Sequence, residues 1–214
     1  MSKDLNPDKA LIFRVTHRDN VRWILDNGLH CRSSGVLDPD FVNIGNLEWI
    51  EKRRHRAVDI PPGGTLSEYV PFYFTPFSPM MYNIKTGWGG ITKRLNQEIV
   101  ILISSLHRLA SEGRTFVFSD RHAYLQAAQF YANLADLDRI DWELLQARNF
   151  KRDPDDMDRV ERYQAEALVH LHMPVQSLTG IVCYDDAAKK GLDALLAERD
   201  MRLRVVAKPS WYFR

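Results

Sequence analysis

The order of apolar and polar positions along the chain predicts a mixed set of strands and helices. Leu11-Ile12-Phe13-Arg14-Val15-Thr16-His17 is short and β-rich and predicts a strand. Val21-Arg22-Trp23-Ile24-Leu25 has helical spacing, and Asn27-Gly28 is suited to stop that helix. Residues 31–45 are irregular and polar, as expected of a loop over a site. Leu47 to Arg56 predicts a basic helix, and Pro61-Pro62-Gly63-Gly64 a break. Val70 to Thr75 predicts a buried strand, followed by a helix with Ser78 as N-cap and Pro79 in its first turn. Gly87-Trp88-Gly89-Gly90 marks another loop. Glu98 to Ser104 predicts a strand, Ser105 to Glu112 a short helix and Phe116 to Phe118 a further strand. The alanines and aromatics of His122 to Leu137 predict a longer helix, and Trp142 to Ala147 a turn or two more.

Asn149 to Asp158 is charged and turn-rich, while Ala165 to His170 returns to an apolar pattern. Leu178 to Tyr184 predicts a strand, Asp186 to Arg199 an amphipathic helix and Arg202 to Ala207 a last strand. Trp211-Tyr212-Phe213 is expected to pack a closing strand. Strands and helices alternate without a βαβ rhythm, which points to an α+β fold rather than a doubly wound sheet.

Composition narrows the function classes. The 214 residues suit a single domain spanning 1–214, and 45% hydrophobic residues allow a real core. A formal net charge of +1 means that a nucleic-acid partner would have to be held by local basic patches. Two distant cysteines, Cys31 and Cys183, fit a reduced cytoplasmic protein. The segment Met1-Ser2-Lys3-Asp4 carries no apolar leader, and no run approaches membrane-spanning length, so neither export nor membrane insertion is expected.

Common cofactor fingerprints are missing. The Gly87–Gly90 segment lacks dinucleotide spacing, and there is no phosphate-loop Gly-Lys-Ser/Thr. His170 and His172 would share one strand face, but with no third ligand nearby a half-buried pair at a strand end outweighs a metal site. Met80-Met81 reads as core, and Asp153 to Asp156 as a solvated acidic turn. Three features remain. Arg14, in an apolar strand, must either pair internally or face an anion. Arg53-Arg54-His55-Arg56 is a basic run, ordinarily a solvated helix face. Gln164 and Glu166 share a face if extended, and the small apolar neighbours of Glu166 suggest partial burial.

Taken in order, six stretches resemble the DarT family of DNA ADP-ribosyltransferase toxins. They are Phe13 to Asn20, Ile50 to Arg54, Tyr69 to Pro76, Ser78-Pro79-Met80, Ser119 to His122 and Tyr163 to Val169, with Trp211-Tyr212-Phe213 as the matching end. Two departures stand out: Phe77 where many members carry Arg, and Arg14 where some carry His. The resemblance implies the ADP-ribosyltransferase fold, a split pair of small sheets clasping NAD⁺ with helices outside. It implies Arg14, Thr16 and His17 at the dinucleotide, and Tyr73 and Thr75 on the strand flooring the nicotinamide pocket. Arg54 matches the catalytic arginine and Glu166 the catalytic glutamate, while Arg53, Tyr163, Gln164 and His122 fall on the DNA side. Residues 149–162 would present the acceptor. NAD⁺ is the implied co-substrate, with no metal. Single-stranded DNA and an antitoxin that removes the mark are the implied partners.

The implied chemistry suits these residue types. Cleaving the nicotinamide–ribose bond develops positive charge on the ribose, which a fixed carboxylate such as Glu166 stabilises. An arginine stays charged, so Arg54 is expected to stabilise the developing base anion rather than to take its proton. Duplex pairing hides the acceptor edge of a base, which favours single strands; thymine is the first choice and guanine the alternative. Tyr163, Trp88 and Phe150 are candidate stacking rings. Two rival readings remain: transfer to RNA or protein, and a non-catalytic nucleic-acid-binding module using Arg53, Arg54, Arg56, Lys93 and Arg94.

Overall fold

The computed structural model describes residues 2–214, so Met1 of the leading segment lies outside the described residues. The elements run β1 (Leu11–His17), α1 (Asn20–Asn27), β2 (Leu29–His30), α2 (Leu47–Arg53), β3 (Tyr69–Tyr73), α3 (Pro79–Thr86), β4 (Ile99–Ser105) and α4 (Leu106–Ser111). They continue with β5 (Phe116–Ser119), β6 (Phe130–Tyr131), α5 (Trp142–Ala147), α6 (Arg159–Arg162), β7 (Glu166–His170), β8 (His172–Met173), β9 (Gly180–Cys183), α7 (Asp186–Ala197) and β10 (Val205–Ala207). The fold is α+β, with helices and short 3₁₀ turns around a central sheet.

The central sheet has eight strands in the order β10-β9-β4-β1-β3-β7-β5-β6. It is two four-stranded halves joined at one point. β1 pairs with β4 along its whole length, from Leu11↔Ser105 to His17↔Ile99. Between β1 and β3 the register holds a single pair, Phe13↔Tyr73. Beyond β3 the ladder resumes with β7, ending on Tyr73↔Glu166. After that one paired residue the two halves part, so they meet at a seam rather than along a full ladder. That seam is where Arg14, Tyr73 and Glu166 come together.

Several local features follow directly from sequence. Ser78 caps α3 by accepting from the Met81 N–H at 3.2 Å, with Pro79 in the first turn. Gly28 ends α1 at φ 80°, and a Cβ there would meet the His172 ring nitrogen at 2.5 Å and the Met173 carbonyl at 2.8 Å, so only glycine fits. Trp211 and Tyr212 are buried as expected, but they close the core from a 3₁₀ turn rather than a strand. The Tyr212 hydroxyl donates to the carbonyls of Ile99 and Val182, tying the chain end to β4 and β9.

Tertiary demands overrode two expectations. The helix expected over His122 to Leu137 does not form; the segment holds β6 and a 3₁₀ turn at Leu134–Arg139. Its backbone donors are needed elsewhere: Phe130 pairs with Ser119, Gln129 N–H donates to the Asp120 carboxylate at 3.0 Å, and Ala123 N–H donates to Glu166. His170 and His172 do not share a strand face, because Leu171 between them takes φ 58° and separates β7 from β8. His172 instead faces His30 across the small β2-β8 sheet. The basic helix ends at Arg53, short of Arg56. Among the described residues no group of three or more His, Cys, Asp or Glu is placed to hold a metal ion.

Candidate active site

Glu166 is the centre of the site. It opens β7 and its side chain is only 3% exposed. Burying a carboxylate is costly unless its oxygens are satisfied, and here three donors satisfy them. Arg53 meets it as a two-pronged fork, Nη1 to Oε1 at 3.0 Å and Nη2 to Oε2 at 2.9 Å. Ala123 N–H adds a third bond to Oε1 at 3.2 Å. The Ser119 hydroxyl accepts the Glu166 N–H at 3.3 Å and donates to the Arg121 carbonyl at 2.6 Å, fixing the strand start.

Arg53 reaches this position because of helix geometry. α2 is capped by Asn46, whose side chain accepts the N–H groups of Glu48 and Trp49 and whose amide donates to the Gly89 carbonyl. Successive side chains on a helix turn by about 100°. Arg53 therefore points into the seam on the same face as Trp49, four residues earlier. Arg54 points away. It is 57% exposed and pairs with Glu51 at 3.1 Å on the open face. The structure thus brings Arg53, and not Arg54, to the glutamate.

The electrostatics of the cluster are set by burial and mutual charge. Burial pushes the Glu166 carboxyl upward, but Arg53, His122 and the Ala123 N–H outweigh it and hold it below its ordinary value. Burial likewise pulls on Arg53, but Glu166 holds it above its usual range. Burial raises the Tyr73 phenol, and Glu166 raises it further, so Tyr73 is neutral. Arg14 donates to the Pro71 carbonyl at 2.8 Å, and burial pulls it down to about 10, still charged at neutral pH. Its buried Nε has no hydrogen-bond partner. Two guanidinium groups against one carboxylate leave the seam with surplus positive charge and an unused donor, an arrangement suited to a polyanionic ligand such as a pyrophosphate.

His122 lines the cluster with its Nδ1 4.0 Å from Glu166. That nitrogen accepts the Tyr124 N–H at 3.3 Å, and burial pulls the imidazole pKa below its ordinary value while Glu166 pulls the other way. Around it lies an aromatic wall that the sequence did not announce. Trp49 packs 5.2 Å from Tyr124, edge to face, and 5.9 Å from His122. The one available signal was the i, i+4 spacing of Trp49 and Arg53.

The other expected site residues divide. Thr16 is buried and its hydroxyl accepts from Asn20 at 3.1 Å; His17 lies at the far end of β1, 3.6 Å from Glu98. Thr75 follows β3 and accepts the Phe77 N–H at 3.2 Å. Tyr163 is not a free stacking ring: it is 0% exposed and packs 5.2 Å from Phe150. Gln164 bonds back to the Val160 carbonyl at 3.0 Å instead of pairing with Glu166. Phe77 is buried under Arg148, whose guanidinium stacks 4.0 Å above the ring, so a cation stands over the position from another direction.

The chain is similar to known proteins over nearly its whole length. Residues 13–213 match the family model described as "DarT: ssDNA thymidine ADP-ribosyltransferase, DarT". The chain is 52% identical over 212 residues to a DNA ADP-ribosyl transferase of Escherichia coli O127:H6 (strain E2348/69 / EPEC), covering 99% of this chain and 97% of that protein. It superposes with a TM-score of 0.88 and 32% identity on Thermus sp. 2.9 DarT in complex with ADP-ribosylated ssDNA, covering 97% of this chain and 98% of the other. The same Thermus protein in complex with NAD⁺ gives a TM-score of 0.85 and 32% identity, at 97% and 99% coverage. Among the described residues no helix is long and apolar enough to cross a membrane.

Proposed function

Because the chain belongs to the DarT family of single-stranded DNA thymidine ADP-ribosyltransferases, we propose that it moves ADP-ribose from NAD⁺ to the N3 of thymine in single-stranded DNA. The bond between ribose C1″ and the nicotinamide nitrogen breaks, and nicotinamide leaves with the electron pair. The thymine N3 forms the new bond to C1″ and releases its proton. The observation that carries the reading is the Arg53–Glu166 fork at the seam, beside Arg14 and Tyr73.

In this reading Glu166, ionised at neutral pH, stabilises the positive ribose and holds its hydroxyl. Arg53 takes the part that sequence resemblance gives to Arg54. Its guanidinium orients Glu166 and faces the acceptor, stabilising the base anion as the proton leaves. Arg14, with its spare donor, pairs the pyrophosphate, and Tyr73 floors the nicotinamide pocket. Residues 149–162 form the wall that presents the acceptor. We assign residues 1–214 to one ADP-ribosyltransferase domain acting as a toxin, with an antitoxin that removes the mark. Two buried free cysteines fit a reducing, cytoplasmic setting.

The test is mass spectrometry of matched single- and double-stranded oligonucleotides, RNA and bulk protein treated with the chain and NAD⁺. One ADP-ribose on thymine of the single strand is expected, with duplex a much poorer substrate. Glu166→Gln is expected to lower transfer by about 10²–10³-fold or more. Modification of guanine, RNA or protein in place of thymine would overturn the acceptor assignment.

A further inference from the structure

We propose that Trp49 is a base-stacking residue that holds the nucleobase next to the acceptor in the bound strand; the proposal rests on the DNA-transfer reading above. Trp49 is 45% exposed on α2, a helix with no buried residue, yet its ring is held in place. Its backbone N–H donates to the Asn46 side chain at 3.2 Å, which fixes where the residue sits at the start of the helix. Tyr124 meets its ring edge to face at 5.2 Å and 79°, which sets the ring plane. His122 lies 5.9 Å away on the other hand and stands 4.0 Å from Glu166. A large aromatic ring therefore sits one imidazole away from the reacting carboxylate, one helical turn before Arg53.

The ring's covering group is replaceable. Lys52 Nζ lies 4.9 Å above the ring centroid on a 42% exposed side chain whose ammonium also pairs with Glu48 at 2.5 Å, an exposed i, i+4 contact that is weakly held. A base stacking on Trp49 displaces that ammonium toward the neighbouring phosphate, where its charge is useful. An aromatic face next to a cation is the arrangement by which proteins hold unpaired bases, since every base has a π-face. Trp88, although 71% exposed, has no ring contact among the described residues to hold it in place, so it offers no set plane.

The experiment uses wild type, Trp49→Ala and Trp49→Phe with single-stranded oligonucleotides that carry a natural or an abasic nucleotide on either side of the acceptor. Anisotropy of a labelled oligonucleotide without NAD⁺ gives Kd, and initial rates at saturating NAD⁺ give KM and kcat. Trp49→Ala is expected to raise oligonucleotide Kd and KM about ten-fold or more, with NAD⁺ affinity and Tm unchanged. Trp49→Phe recovers most of that loss. An abasic neighbour costs wild type the same factor and costs Trp49→Ala nothing further. Wild-type DNA affinity in Trp49→Ala, or penalties that add in full, would overturn the proposal. If wild type binds the oligonucleotide without modifying it, the assigned reaction falls and anisotropy alone decides the stacking site. If it neither binds nor modifies, both fall.

Discussion

Two of the regions in which arginine meets carboxylate in this molecule contrast with each other. In the seam between the sheet halves, one buried fork joins Arg53 to Glu166, and Ala123 supplies a further donor. In segment 149–162 the pairs are many and partly exposed. Arg159 meets Asp153 and Asp156, Arg162 meets Asp141, Asp156 and Asp158, and Arg121 meets Asp158. α6, which carries two of these arginines, has no buried residue. The buried fork holds one carboxylate in its ionised form, because leaving either partner alone out of water is expensive. The network in segment 149–162 is built from more exposed, better screened contacts that are individually weaker.

The sharpest way to break this contrast is to remove one guanidinium at a time from the same helix end. Arg53→Ala leaves Glu166 buried and unpaired, and is expected to cost about 3–5 kcal/mol of stability and to abolish transfer. Arg54→Ala removes only an exposed pair with Glu51, and is expected to change stability by about 0.5 kcal/mol or less with transfer near wild type. Denaturant unfolding together with single-turnover transfer to oligonucleotide checks both. Collapse of transfer in Arg54→Ala, with Arg53→Ala active, would return the catalytic role to Arg54.

A smaller effect comes from pH. His122 has a folded pKa held below 6.5, chiefly by burial. The unfolded chain therefore takes up its proton first, and stability falls as pH drops through 6.5. Glu166 has a folded pKa held below 4.5, despite its burial, by Arg53 and His122. Its contribution is fully present above 4.5 and is lost only as pH falls further, through the folded value. Tm measured across acid pH is expected to show two steps, and His122→Gln is expected to remove the upper one alone. A single step below 4.5 in wild type would mean that His122 is not held neutral by the fold.

The smallest change is expected in the surface network. Hydrogen bonds from Arg159 and Arg162 hold the Asp156 carboxyl below its ordinary value, yet water and salt screen the group. Asp156→Asn is expected to shift Tm by no more than about 2 °C, with the shift shrinking as salt rises. The Arg53→Ala loss should persist at high salt, since a buried pair is screened far less. Equal salt dependence of the two variants would erase the distinction between the regions.

Sequence pattern and spacing were enough for the elements whose side chains obey local rules. β1, α5, the Ser78 cap of α3 and the Gly28 stop of α1 follow from periodicity, capping chemistry and backbone freedom, and the structure holds each where the pattern places it. Glu166 was legible too, because a glutamate among Ala165, Ala167 and Leu168 has few outward-facing options. What the chain could not declare by itself was which neighbour of a pair faces inward. Arg53 and Arg54 differ by one residue, or about 100° of helix rotation, and that rotation depends on how Asn46 anchors α2 to the Gly89 loop. The same holds for Ala123, whose N–H was counted toward a helix until Glu166 and the β5-β6 pairing claimed the segment. Local propensity is a property of a few consecutive residues. The seam is made by strands and loops distant in sequence, and only their packing decided which donors meet the buried carboxylate.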